Sequence, residues 1–299
     1  MTIGPRPAAW KVDGSLVAMT LIWGATFVLV KQALADVSTL LFLTLRFSIA
    51  AVALAIVFHK EFRAPNARAS LGRGVIAGIF LFGGYVLQTA GLQFTSASKA
   101  GFITGMYVPL VPIIGGLVLQ KLPHISELIG IAIACVGMVL LTVQKDILDI
   151  GRGDLLVLGC AAAYSCHILI LGRFSPQSNV GVLTVAQIAT GAIIGATTFW
   201  WIEPVRLAWT PNVWIALAVT SLLATALAFF VQTWAQRYSS PTRTVLIFSL
   251  EPVFAWLTSY LVAGEVLSHR GAAGAVLILG GILVVELKPI RRRSQHIVT

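Results

Sequence analysis

The sequence predicts an all-α, polytopic membrane protein with ten transmembrane helices in two inverted five-helix repeats. Three observations predict it. Of 299 residues, 58% are hydrophobic and only 11% are charged, against about 25% charged in a typical soluble domain. The apolar residues gather in ten runs, each close to the roughly 20 residues that a helix needs to cross the hydrocarbon core. The second half of the chain also repeats features of the first at a nearly constant offset.

The runs cover approximately 14–35, 38–58, 72–93, 98–119, 126–143, 154–173, 180–201, 212–235, 242–262 and 269–286. Turn formers or charges separate them, and no connection is long enough for a water-soluble domain. In lipid every backbone polar group must bond within its own segment or in a closed barrel. Barrel strands alternate apolar and polar residues, which these runs do not. In the first run, Arg6 and Lys11 precede the apolar residues and Ala33-Leu34-Ala35 resembles a signal-peptidase site. The apolar stretch from Gly14 to Val30 is nevertheless longer than a signal-peptide core, so it is read as the first span.

Later runs carry their own punctuation. Pro109 and Pro112 predict a kink in the fourth, and Pro252 in the ninth, where the ring disturbs the bond normally made to the Phe248 carbonyl. Gly74/Gly78, Gly101/Gly105 and Gly191/Gly195 are small-xxx-small pairs suited to close helix approach, and Gly130, Gly137, Gly274 and Gly281 suit the same end. Trp200, Trp201 and Trp209 fit an interfacial belt.

Charge sets the orientation. With the N-terminus cytoplasmic, fourteen Lys and Arg residues fall in inner regions and six in outer connections, with Arg46 inside a helix. This asymmetry places both termini inside. The net charge of +10 sits in short connections and at the two ends, which points to anionic lipid and away from nucleic acid. Cys135, Cys160 and Cys166 lie in apolar runs without metal-ligand or CxxC spacing and read as small buried residues.

The repeat emerges on aligning Gln88 with Gln232. That offset of 144, with no gap, sets Thr89 on Thr233, Ser96 on Ser240, Lys99 on Arg243, and Gly130 and Gly137 on Gly274 and Gly281. In the first part of each half the offset is 141, setting Asp13 on Asp154, Trp23 on Tyr164 and Arg46 on Gln187. Five helices is an odd number, so the halves, 1–146 and 147–299, must lie in opposite orientations. That plan places a ligand site near the midplane between them.

Local patterns add a resemblance. Trp23-Gly24-Ala25-Thr26-Phe27 with Lys31, Leu45-Arg46-Phe47, Ser98-Lys99-Ala100-Gly101-Phe102, Gly105-Met106-Tyr107-Val108-Pro109, Leu250-Glu251-Pro252-Val253-Phe254 and Gly264-Glu265 occur in order. Together they resemble the EamA-type family of the drug/metabolite transporter superfamily over nearly the whole chain. One departure is Lys121-Leu122-Pro123, where the family often has a Gly-Glu-Arg-like turn. The resemblance implies ten helices, cytoplasmic termini and a central cavity lined mainly by helices 1, 3, 4, 6, 8 and 9. It also implies export of a small metabolite such as an amino acid or related amphipathic compound.

Ionisable groups at membrane depth are costly and so informative. Glu251 is a candidate for substrate ammonium or for proton coupling, with a structural carboxyl as the alternative. His167 is a candidate proton shuttle or substrate partner. Arg46 has an uncharged counterpart and lies on a helix that is peripheral in the resembled fold, so it is read as a structural charge. Trp23, Thr26, Gln88, Tyr107, Tyr164 and Gln232 complete the expected substrate lining, as aromatic and polar groups do in a cavity for a partly apolar ligand.

The expected partners are therefore a small-molecule substrate, the bilayer of a bacterial inner membrane and, on one reading, protons; no cofactor or metal is implied. Proton coupling, exchange and facilitated diffusion stay open, as does the oligomeric state. The chain has no GxxxxGK[ST], HExxH or GxSxG pattern, which argues against ATP use and against an intramembrane enzyme. A channel is the other alternative.

Overall fold

A computed structural model describes residues 7–95, 97–119, 123–142, 150–263 and 269–286. Arg6, Ser96, Lys121-Leu122, Lys145, Gly264-Glu265 and the basic tail with Lys288 and Arg291 to Arg293 lie outside the described residues, as do the side chains of Phe27, Lys31, Ser98 and Lys99. The described chain is helical, apart from one isolated antiparallel bridge between Val37 and Leu207.

The first half holds α1 (Ala9–Ala33), α2 (Thr39–Phe58, continued by a 3-10 turn, His59–Arg63), α3 (Ala67–Gly91), α4 (Ala97–Thr104), α5 (Tyr107–Leu119) and α6 (Ile125–Thr142). The second holds α7 (Arg152–Phe174), α8 (Val180–Ile202), α9 (Pro211–Ser221), a π-helical stretch (Leu222–Leu227), α10 (Ala228–Ala235), α11 (Pro241–Phe248), α12 (Glu251–Ala263) and α13 (His269–Glu286). The bounds recur. Those of α3, α4, α5 and α6, moved by 144 residues, give the continuous stretch α9 to α10, then α11, α12 and α13.

Local chemistry sets these ends. The Asn179 side chain accepts from Val182 N at 3.0 Å to open α8, and Ser240 accepts from Arg243 N at 3.2 Å to open α11, with Pro241 in its first turn. Such caps satisfy amide donors that a helix start leaves bare. Prolines account for the breaks. Pro252 has no donor for the Phe248 carbonyl, and the helix is interrupted at Ser249–Leu250. Pro109 follows the equivalent interruption at Gly105–Met106.

Among the described residues, six helical segments are long and apolar enough to cross a membrane: Thr39–Arg63, Ala67–Gly91, Ala100–Val118, Arg152–Gln177, Val180–Ile202 and Pro211–Ala235. Ile125–Leu141 and His269–Val285 are shorter apolar helices. Large apolar side chains such as Ile49, Val52, Ile56, Ile76, Ile79, Trp200 and Trp201 are exposed on the outer surface. So much exposed apolar surface suits lipid and would be a liability in water. The chain is thus a multi-pass membrane protein.

Packing is reciprocal between the halves. Helix α1 lies along α12 and along α9 to α10, while α7 lies along α5 and α3. Helix α2 pairs with α8, and α6 with α13. The last pair approaches closely. A Cβ on Gly130 would stand 2.6 Å from the Gly281 oxygen, and one on Gly137 would stand 2.6 Å from that of Gly274. Only glycine permits backbones so near. The contacts run in reverse order, so α6 and α13 are antiparallel.

Among the described residues, the two largest of four apolar clusters fill much of the bundle. One joins Val12, Leu16, Tyr107, Val111, Met138, Ile168, Leu246 and Ile278; the other joins Leu43, Phe47, Leu81, Phe82, Tyr85, Ile188 and Phe229. Trp23 and Tyr164 pack against both and so mark the seam between them.

Candidate functional site

Polar groups collect along that seam, at the level where the broken helices restart. Glu251 opens α12 and Tyr107 opens α5. The Tyr107 hydroxyl lies 3.3 Å from Glu251 Oε2 and 3.4 Å from the carbonyl oxygen of Phe248. The carbonyl that Pro252 leaves without an intrahelical donor is thus met by a side chain from the other half. Helix α1 comes in close beside this break: a Cβ on Gly24 would stand 2.9 Å from the backbone oxygen of Glu251 and from Phe254 Cβ. Glu251 is half-buried.

An aromatic wall leads away from Glu251. Trp23 packs on Phe248 at 5.0 Å and on Phe229 at 5.5 Å between ring centroids. Tyr164 meets Tyr85 edge to face at 5.7 Å, a favoured aromatic geometry.

Arg46 stands at the far side, 5% exposed. Its Nε donates to Thr225 Oγ1 at 2.6 Å, and its Nη2 to the Tyr85 hydroxyl at 3.2 Å and to the Ala224 oxygen at 3.3 Å. The guanidinium also lies 4.8 Å from the centre of the Tyr85 ring. Ala224 and Thr225 belong to the π-helical stretch, where the altered hydrogen-bond ladder turns polar groups toward a neighbour. The Ala224 carbonyl accepts from Trp23 Nε1 as well, at 2.9 Å.

The structure does not bring all the expected residues to this wall. Gln88 is half-buried and donates to Thr104 Oγ1 at 3.1 Å. Its counterpart Gln232 is 1% exposed and turns along its own helix to Gln236, at 3.1 Å. Gln236 in turn bonds the Ile168 oxygen. Thr26 bonds back to the Trp23 carbonyl at 3.0 Å. His167, 2% exposed, holds Gln187 Oε1 at 2.8 Å, and Gln187 Nε2 donates to Thr233 at 2.9 Å. These form a separate buried triad beside Phe229.

Sequence reasoning missed Tyr85, Thr104 and Thr225 as lining or partner residues. Tyr85 had a signal, lying three residues before Gln88 on the same helical face. Nothing in Leu222–Leu227 announces a π turn, since it contains neither Gly nor Pro. Among the described residues, no group of three His, Cys, Asp or Glu side chains is placed to hold a metal ion.

The ends of the bundle are clasped. Arg243 Nη2 and Asp13 Oδ2 form an ion pair at 2.6 Å that joins α11 to α1, beside a hollow of about 170 Å³ reaching Tyr238 and Ser239. At the start of α7, Asp154 accepts from Thr95 Oγ1 at 2.7 Å, joining α7 to the end of α3. On another edge, Asp36 accepts from the Thr210 hydroxyl at 2.7 Å, and the Glu203 carboxylate accepts from Leu40 N.

Comparison with known proteins adds to this geometry. The profile of the EamA-like transporter family matches residues 10–143 and again 151–287. An uncharacterized transporter of Archaeoglobus fulgidus is 34% identical over 276 residues, which is 92% of this chain and 86% of that protein. The uncharacterized transporter YyaM of Bacillus subtilis is 25% identical over 281 residues, covering 91% and 92%. A solved structure at 18% identity superposes with a TM-score of 0.78, covering 95% of this chain and 98% of the other, a likeness of fold alone.

Proposed function

This chain belongs to the EamA-like transporter family, and from that premise we propose that it is a secondary transporter working by alternating access. It is a membrane transporter, like the relatives it matches, and not an enzyme. Our reading is that ten spans form two inverted five-helix units, 1–146 and 147–299, with both termini cytoplasmic in a bacterial inner membrane. The cargo is a small metabolite such as an amino acid or related amphipathic compound, and the direction is export.

One observation carries this reading. The first residues of two broken helices, Tyr107 from the first half and Glu251 from the second, meet side chain to side chain. Discontinuous helices open polar backbone at mid-membrane, and transporters with inverted repeats bind cargo there. Trp23, Tyr107, Tyr164, Gln88 and Glu251 are the binding residues we favour. Thr26, His167 and Gln232 support them from behind. If transport is proton-coupled, Glu251 is the better carrier, because it is half-buried at the seam while His167 is enclosed.

Counterflow in proteoliposomes tests the proposal. Vesicles preloaded with unlabelled cargo should transiently accumulate labelled cargo above equilibrium, and uptake should saturate. Saturation without counterflow at any cargo tried would oppose alternating access, and uptake that never saturates would favour a channel. Everted membrane vesicles that accumulate cargo in response to an imposed gradient would support export.

A further inference from the structure

We infer that Arg46, with Tyr85 and Thr225, forms an anion subsite at the edge of the aromatic wall and takes a carboxylate of the transported molecule. The inference rests on the transport reading above and adds the charge that the cargo must carry.

The donors are already aligned. The Thr225 and Tyr85 hydroxyl oxygens accept from Arg46, which leaves each hydroxyl its own proton to give. Neither proton meets an acceptor among the described residues, and Arg46 Nη1 makes no hydrogen bond there. Three donors around one buried cation suit a planar oxyanion, which presents several lone pairs in one plane. Among the described residues no carboxylate pairs with Arg46. A cation at membrane depth whose hydrogen-bond partners are all neutral is costly.

The second half indicates that the fold does not require this charge. The position equivalent to Arg46 is Gln187, a neutral amide satisfied by His167 and Thr233. The differences extend to the neighbours. At the offset of 144, Tyr85 corresponds to Phe229 and Thr225 to Leu81. The π turn corresponds to regular α-helix in α3. Charge, both hydroxyls and the irregular turn all lie on one side. π turns of this kind often occur at functional sites.

The test uses purified full-length protein, with phenylacetate and L-phenylalanine as probes against their amides, phenylacetamide and L-phenylalaninamide. Aromatic bodies suit the Trp23, Tyr85 and Tyr164 wall. Thermal stabilisation by each acid should half-saturate at a concentration about ten- to a hundredfold below its amide, the scale of a charge-assisted bond. Arg46→Gln should abolish that preference. Should Arg46→Gln fail to fold, Tyr85→Phe with Thr225→Val keeps the cation, removes two donors and should weaken acid binding about tenfold. Equal binding of acid and amide, no stabilisation by any probe, or a preference that survives these substitutions overturns the assignment. Counterflow separates the two ideas. Vesicles that exchange both acid and amide equally leave transport standing and remove the subsite, whereas binding without any exchange removes transport.

Discussion

Tyr107 donates a 3.3 Å hydrogen bond to Glu251, and the two residues, 144 positions apart, are each the first residue of a helix that restarts after a break. The same offset relates the bounds of α3 to α6 to those of α9 to α13. On the proposed inverted-repeat reading, a pair that relates to itself in this way lies on the axis that would exchange the two halves. Groups there stay central while flanking helices swap roles, which suits a site that must serve both faces.

Glu251→Gln should therefore lower the initial rate of transport about tenfold or more, equivalent to about 1.4 kcal/mol in the barrier, and should flatten its pH dependence. Tyr107→Phe keeps the ring and should act less severely, altering the pH profile by removing a hydrogen bond from the carboxylate. Rates in reconstituted vesicles between acidic and alkaline pH are the measurement. A Glu251→Gln protein that transports normally at every pH would take the carboxylate out of the mechanism.

His167 should behave differently. It is enclosed, and its ring holds Gln187, which holds Thr233. Replacing it with Ala leaves the Gln187 oxygen buried without its donor, a loss of about 1–3 kcal/mol. The melting temperature in detergent should fall, while the pH dependence of whatever transport remains should match the parent. A shifted pH profile with unchanged stability would make His167 a proton carrier.

These contrasts show what the sequence carried. Apolar runs marked helices, and Pro109 and Pro252 each follow a break, because a missing amide acts locally; Pro112, expected to kink the fourth run, instead lies inside α5. The offset that aligned Gln88 with Gln232 also makes Tyr107 equivalent to Glu251, a correspondence the sequence reading did not draw, since the register holds from α4 into α5 and from α11 into α12. Orientation of single side chains was less legible. Gln232 has Gln236 one turn away to bond, whereas the position equivalent to Gln236 in the first half is Leu92, so Gln88 reaches Thr104 instead. Arg46 was readable as a charge, but its partners depend on a π turn that leaves no mark in residue types.

The α6–α13 seam gives a packing prediction. At Gly137 a Cβ would stand 2.6 Å from a backbone oxygen of α13, and a backbone cannot yield as a side-chain tip can. Gly137→Val should cost about 1–3 kcal/mol or more through overpacking. Gly280, with nothing within 4 Å of an added Cβ, should accept Ala with little change. Thermal denaturation of both variants in one detergent compares them, and equal melting temperatures would refute the close approach.

The Asp13–Arg243 pair makes the last prediction. Its side chains are 20% and 24% exposed, so solvent screens it and its contribution to overall stability should be about 1 kcal/mol or less. The same energy applied to a two-state gate changes the open fraction about fivefold. Asp13→Asn should therefore leave the melting temperature nearly unchanged while exposing the hollow behind the pair. Ser239 lines that hollow, so a thiol placed by Ser239→Cys, with Cys135, Cys160 and Cys166 replaced by Ala, reports on it. Maleimide should label it about fivefold faster after Asp13→Asn. Exchanging the charges, with Asp13→Arg and Arg243→Asp together, should restore the slow rate, because the attraction is recovered with reversed polarity. At the other clasp, Thr95 bonds Asp154, and Thr95→Cys in the same background should label more slowly after Asp13→Asn if the ends open in alternation. Faster labelling at both positions would instead mean that the bundle loosens as a whole, and unchanged labelling at both would show that the ion pair does not hold a gate.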